Sequence, residues 1–196
     1  MSDERLRRWI AQLVATPGLT AIKDLDEAWR EHVERSLEAV DVVSRFQGSI
    51  VDVGSGGGSP GIPLAFAFPE REVTLLESHG RKAEALARLS TEFPNVSVVR
   101  GRAEEHETDL YAVAVARALA SPPVAAEWCL PLVASGGAVV LYVGPTADPE
   151  HVQRVADRVG GGRVSEEPGL LVIPKIAHTP EGFPRRPGAA KKRPLA

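Results

Sequence analysis

Cysteine, tyrosine, long apolar runs and charge imbalance are all scarce in this chain, and each shortage excludes something. Cys129 is the single cysteine, so an intramolecular disulfide and a cysteine-rich zinc site are both ruled out. It lies in the apolar stretch "EWCLP" (127–131) and reads as core, not as a nucleophile. The only two tyrosines, Tyr111 and Tyr142, fall inside expected strands, so the Tyr-Lys pair of a nicotinamide oxidoreductase is missing. No apolar run approaches the roughly 20 residues of a membrane span. "MSDERLRRWI" lacks the apolar core of a signal peptide, so a cytoplasmic protein without membrane or metal is expected. The formal net charge of −3 excludes a generic polyanion binder. What remains, at 196 residues, 43% hydrophobic and 25% charged, is the composition of one globular domain with small additions, expected to be monomeric.

Hydrophobic spacing divides the chain. Leu6, Trp9, Ile10, Leu13 and Val14 mark a first helix with Ser2 as its cap and Asp3 and Glu4 in its first turn; a second begins near Asp24 and carries Trp29, Val33, Leu37, Val40 and Val43 on one face. Then strands and helices alternate. Strands are expected at 49–53, 72–77, 95–100, 111–116, 137–143, 163–166 and 170–176; helices at 60–68, 80–92, 121–133 and 148–158. Such alternation predicts an α/β fold, a mainly parallel sheet with helices on both faces. The expected organisation is N-terminal helices (1–45), a ligand-binding domain (46–178) and a basic tail (179–196) outside the core.

Between the first strand and the next helix stands "VDVGSGGGSPG" (51–61). Glycine is costly to order, so this density implies a ligand pressed against the backbone at the carboxyl end of the strand. Two registers coexist. Gly56, Gly58 and Gly61 give G-x-G-x-x-G, the dinucleotide pattern; Gly54, Gly56 and Gly58 give G-x-G-x-G behind Asp52. Glu77 closes the second strand 19 residues after Gly58, where a carboxylate accepts from ribose hydroxyls of either NAD or S-adenosylmethionine (AdoMet). AdoMet is favoured by three features. Asp52 stands where a carboxylate meets the amino-acid end of that cofactor. Pro60 and Pro63 remove N–H donors that a pyrophosphate would need. "GRAEE" (101–105) follows the third strand, with Ala103 and Glu104 placed for an adenine.

With these residues in view, the chain resembles the glucose-inhibited-division B family, the 16S ribosomal RNA guanine-N7 methyltransferases. The likeness runs through "LTAI" (19–22), His32, "DVGSGGGSPGIPLA" (52–65), "TLLES" (74–78), "RAE" (102–104), "ARALA" (116–120), "VIPK" (172–175), "FPRRPG" (183–188) and "KRPL" (192–195). The resemblance implies the Rossmann-like class I AdoMet-dependent methyltransferase fold, with seven strands and an antiparallel last hairpin. It implies AdoMet as cofactor and 16S ribosomal RNA, or the small ribosomal subunit, as partner. The sequence departs from the family pattern at Gly18, Ser59, Ala112, Val143 and Gly169, which leaves a divergent AdoMet- and RNA-binding relative as the alternative.

The expected cofactor residues are Asp52, Gly54, Ser55, Gly56, Gly58, Ser59, Glu77, Ala103, Glu104 and Arg117. N7 of guanine has a free lone pair and needs no general base, so the expected catalysis is positioning. Arg117, after the fourth strand, resembles the family's arginine there and is expected to hold guanine O6 or a phosphate. Arg185, Arg186, Lys191, Lys192 and Arg193 put five cations into nine residues, and with Lys175 they are expected to meet RNA phosphates. His32 is expected at the site's edge, packing the Gly-rich turn. Arg81 and Lys82 open a helix whose dipole they oppose, at the ribose edge or as a solvated pair.

Overall fold

Strand β1 (Ile50–Val53) is buried at every residue, as befits a strand covered on both faces. The computed structural model describes residues 4–196, so Ser2 and Asp3 lie outside the described residues. After β1 come β2 (Val73–Glu77), β3 (Val96–Arg100), β4 (Tyr111–Arg117), β5 (Val133–Tyr142), β6 (Ser165–Glu167) and β7 (Leu170–Pro174). They form one sheet in the order β3-β2-β1-β4-β5-β7-β6. β1 to β5 pair in parallel, and β7 runs antiparallel to β5 and β6. The seven-stranded, mostly parallel sheet expected from the sequence is borne out.

Strand periodicity sorts the core into two layers. Ile50, Val113, Val115, Ala138 and Val140 enter one apolar cluster. Their neighbours Val51, Ala114, Ala116, Val139 and Leu141 enter the other. The first face is covered by α1 (Glu4–Ala15), α2 (Leu25–Trp29), α3 (Arg35–Leu37), α4 (Val40–Ser44), α5 (Gly61–Ala67) and α6 (Gly80–Leu89). The second is covered by α7 (Pro122–Cys129) and α8 (Pro149–Ala156). The helices following β1 and β2 thus go to one side, and those following β4 and β5 to the other. The crevice outside the carboxyl ends of β1 and β4 is the topological switch point, where open α/β sheets bind ligands.

Two local expectations need correction. The helix expected from Asp24 onward is not continuous. Asp24 does cap it, accepting the Glu27 N–H at 2.8 Å, but a π-turn over Arg30–Glu34 interrupts it. Wider turns of this kind recur at functional sites. The second correction concerns the tail, which is not an extension outside the core. Ala190 is buried, Phe183 and Leu195 pack on the second-face cluster, and a short helix, α9 (Ala189–Lys192), lies against α7. Apolar residues interleaved with the cations give this segment a face to bury.

Candidate cofactor and nucleic-acid site

The loops at the carboxyl ends of β1, β2, β3 and β4 enclose a cavity of about 270 Å³, lined by Gly54, Glu77, Ala103, Glu104, Leu119, Trp128 and Lys191 among others. A larger hollow beside α8, lined by Gln153, Arg163 and Ile176, lies at the β6 edge, away from the switch point.

The Gly-rich turn reaches the smaller cavity at Gly54. Gly54, Gly56 and Gly58 have φ of +74°, +56° and +104°, left-handed values that favour glycine. Gly54 and Ser55 donate backbone N–H groups to the Leu76 carbonyl at 2.8 and 3.2 Å. Gly56 N–H donates to Glu77 Oε2 at 2.9 Å, and His79 N–H to Oε1 at 2.7 Å. Glu77 therefore fixes two loops with one carboxylate while lining the cavity. The Ser55 hydroxyl turns inward to the Asp52 carbonyl at 2.8 Å.

Asp52 is a correction. It was expected beside the amino-acid end of a cofactor, but it is 1% exposed because the turn folds over it. Its Oδ2 accepts the Gly61 N–H at 3.0 Å, at the start of α5. Burial, only partly offset by that N–H, pushes its carboxyl up to about 7. Asp52 holds the turn's exit and does not line the cavity.

A polar node lies at the end of β4. His32, in the π-turn, meets Thr20 Oγ1 through Nε2 at 3.0 Å. Its Nδ1 meets Ser59 Oγ at 3.1 Å and Arg117 Nη2 at 3.1 Å. A guanidinium only donates, so Nδ1 is the acceptor and Nε2 carries the proton to Thr20. Burial, reinforced by the Arg117 charge, depresses the His32 pKa to about 4, which keeps the ring neutral. Arg117 also donates Nη1 to the Glu31 carbonyl, and burial lowers its own pKa. The node joins the N-terminal segment, the Gly-rich turn and β4. Ser59, expected against the cofactor, gives its hydroxyl to His32. No periodicity in the sequence signals this meeting of Thr20, His32, Ser59 and Arg117.

The six expected RNA cations separate into three groups. Lys175 is a correction: it is 1% exposed and donates to the Leu130 carbonyl, the Val159 carbonyl and Thr179 Oγ1 at 2.9, 3.2 and 2.9 Å. Burial lowers its pKa against the pull of Asp109, and it cannot reach a phosphate. Arg185 is a second correction, since its guanidinium forks onto the buried Glu127 at 2.6 Å on both prongs. Arg186, Lys192 and Arg193 are exposed. Lys191 stands over the Trp128 ring at 5.2 Å and lines the cavity with Lys82 and Arg102. Trp128 carries no signal in the sequence, and Leu119 only its place within "ARALA". Two departures from the family pattern are turn residues, Gly18 and Gly169, with φ of +83° and +74°.

The cavity fits an adenosine. Leu76, Leu119 and Trp128 supply apolar walls, Glu77 a carboxylate for hydroxyls, and the 3-10 turn Ala103–Glu105 backbone for a purine edge. The buried indole N–H of Trp128 has no acceptor among the described residues. The fold is that of known methyltransferases. Human N-acetylserotonin methyltransferase with its AdoMet superposes with a TM-score of 0.61 at 14% identity, over 78% of this chain and 54% of that one. The AdoMet-dependent methyltransferase SibL, without ligand, gives 0.60 at 16%, over 86% and 62%. Much nearer in sequence are proteins named ribosomal RNA small subunit methyltransferase G. That of Alkaliphilus metalliredigens is 39% identical over 91% of this chain and 83% of its own length. That of Thermotoga neapolitana is 35% identical over 98% and 91%. The family model GidB, described as rRNA small subunit methyltransferase G, matches residues 4–159, and the chain belongs to this family.

Proposed function

We propose that the chain transfers the methyl group of AdoMet to N7 of a guanine in 16S ribosomal RNA, alone or within the small ribosomal subunit. The observation that carries the reading is Glu77, a buried carboxylate fixed at the mouth of β2 inside the switch-point cavity, with only β1 between its strand and that of the Arg117 node. In this reading the protein works in the cytoplasm as a monomer.

AdoMet, when bound, supplies an electrophilic methyl group on a sulfonium. Glu77 offers its remaining lone pairs to the ribose hydroxyls. Gly54 would let the cofactor approach the main chain, Gly56 and Gly58 hold the turn in its left-handed course, and the backbone at Ala103 and Glu104 would meet the adenine edge. No proton has to leave N7, and the node at His32 is built accordingly: its one basic lone pair is taken by Arg117 and Ser59, so the ring is no general base. Arg117 is the orienting group. Two of its five N–H donors are engaged by Glu31 and His32, which fixes the plane of the fork and leaves three for guanine O6 or a phosphate. A cation held at O6 rather than N7 leaves the N7 lone pair free for in-line attack and lies farther from the charge that N7 acquires. Arg186, Lys191, Lys192 and Arg193 bring positive charge to the same side for the RNA backbone.

The test is methylation of 16S RNA and of small subunits with labelled AdoMet, followed by borohydride and aniline cleavage, which cuts at N7-methylguanine. Label at one guanine with cleavage there is expected. Label without cleavage overturns the N7 assignment, and no binding of S-adenosylhomocysteine in calorimetry overturns the cofactor.

A further inference from the structure

The C-terminal segment is fastened at three places. Its root is Lys175, whose ammonium holds Thr179 Oγ1 at 2.9 Å while Thr179 donates its hydroxyl to Asp109 at 3.0 Å. This fixes the direction in which the chain leaves β7. Its middle is the forked pair of Arg185 with Glu127, a carboxylate only 3% exposed; Arg185 Nη2 also reaches the Arg193 carbonyl at 2.9 Å. Its tip is on the cavity. Gly188 donates its N–H to Glu104 Oε1 at 3.1 Å, and Lys191 covers the Trp128 ring. Glu104, Trp128 and Lys191 all line the cavity.

The clamp and the wall are consecutive residues of α7: Glu127 holds the segment and Trp128 faces the cavity. A buried carboxylate without a partner is strongly destabilising, so Arg185 cannot leave Glu127 cheaply. A merely solvated tail would need neither this pair nor a buried Ala190.

We propose that residues 185–193 form a strap that builds the adenosine side of the cofactor cavity, with Arg185–Glu127 as its positioning pair and Lys191 on Trp128 as its wall. The proposal rests on the AdoMet reading above. It assigns the basic segment a second task. The inner face of the strap shapes the cofactor site, and its exposed Arg186, Lys192 and Arg193 face solvent and RNA. Because one element serves both ligands, whatever effect one has on the binding of the other is reciprocal.

The experiment uses the full chain and S-adenosylhomocysteine. Calorimetry compares the natural protein with Arg185→Ala, Glu127→Gln, their combination, Lys191→Met, and Arg45→Ala as a distant control. Arg185→Ala is expected to weaken binding about tenfold, the double variant no more than either single one, and Lys191→Met about threefold. Hydrogen exchange of the natural protein supplies a readout that needs no variant: the ligand should slow the Gly188 and Arg193 amides about tenfold. Unchanged exchange over 186–193 in a chain that binds the ligand overturns the strap, and so does full affinity in a folded Arg185→Ala protein. If Arg185→Ala does not fold, the exchange result decides. A natural protein that binds no S-adenosylhomocysteine refutes the cofactor reading instead.

Discussion

Replacing His32 with phenylalanine tests the node on which Arg117 depends. The substitution removes three hydrogen bonds of similar length, to Thr20 at 3.0 Å and to Ser59 and Arg117 at 3.1 Å. Two are neutral, worth about 1 kcal/mol each, and one involves a charge, worth about 1.5–3 kcal/mol. The expected loss at pH 7.5 is therefore about 3–5 kcal/mol. The pH dependence is sharper than the total. The folded ring titrates at about 4, whereas an unfolded histidine titrates near 6.5. Between these values the unfolded chain takes the proton first, so His32 stabilises the fold fully above about 6.5 and loses that contribution as the pH falls toward 4. From pH 7.5 to 5.0 an unscreened group loses about 2 kcal/mol; for a half-buried ring, solvent screening reduces this to about 1 kcal/mol. Phenylalanine has no such term, so the stability gap between natural and variant protein should narrow by about that amount. Urea denaturation at the two pH values measures it. A gap that stays constant, or widens in acid, refutes the claim that Arg117 and burial hold the ring neutral.

Other perturbations separate the roles of the site residues. Glu77→Gln leaves one acceptor oxygen for the Gly56 and His79 N–H groups and removes the charge; S-adenosylhomocysteine should bind more weakly by about 1.5–3 kcal/mol, and equal affinity in calorimetry would take Glu77 out of the site. Asp52→Asn keeps an acceptor for Gly61. Because the natural carboxyl is held up to about 7, the natural protein loses stability as the pH rises from about 4 through 7, a fall on the order of 2–4 kcal/mol that the variant lacks; parallel curves from denaturation at pH 5 and 8 would refute this. Arg117→Lys keeps the charge but cannot donate in two directions. Its single-turnover methylation should slow at least about tenfold, about 1.4 kcal/mol, with cofactor affinity retained, and a rate equal to the natural one would place the orienting group elsewhere.

The sheet was legible because strands buried on both faces announce themselves locally: "SIVDV", "EVTLLE" and "YAVAVA" need no distant information. The Gly-rich turn was legible for the same reason, since its left-handed glycines are a backbone requirement written at those positions. Glu77 could be placed because it ends a strand whose length is readable. The π-turn was not legible, because one extra residue in a helical turn leaves the apolar pattern nearly intact. The node was legible in part: His32 was expected to pack the Gly-rich turn, and it meets Ser59 there, but its meeting with Thr20 and Arg117 was not, because the four residues come from separate stretches. The place of Asp52 before the glycines points it at the site, yet the backbone N–H of Gly61 and the closure of the loop direct it inward.

Cations show the limit most clearly. Lys175, Arg185 and Arg186 lie within twelve residues and carry the same charge, but only the folded chain tells which has an internal partner. Lys175 meets two carbonyls and Thr179, and Arg185 meets Glu127. Their charges are spent inside and release no counterions when RNA binds. Of the six cations assigned to RNA from sequence, that leaves the exposed Arg186, Lys192 and Arg193, with Lys191 shared between the cavity and solvent. Each phosphate contact contributes about −0.7 to −0.9 to the slope of log affinity against log salt. Neutralising Arg186, Lys192 and Arg193 together, as glutamines, should therefore flatten the slope for RNA by about 2–3 units. Lys175→Gln should leave the slope unchanged while lowering the melting temperature, because it takes the ammonium from the Leu130 and Val159 carbonyls and the opposite charge from Asp109. Filter binding across a salt series measures both. A slope that flattens in the Lys175 variant, or persists in the triple one, would mean that RNA meets a different face of the protein.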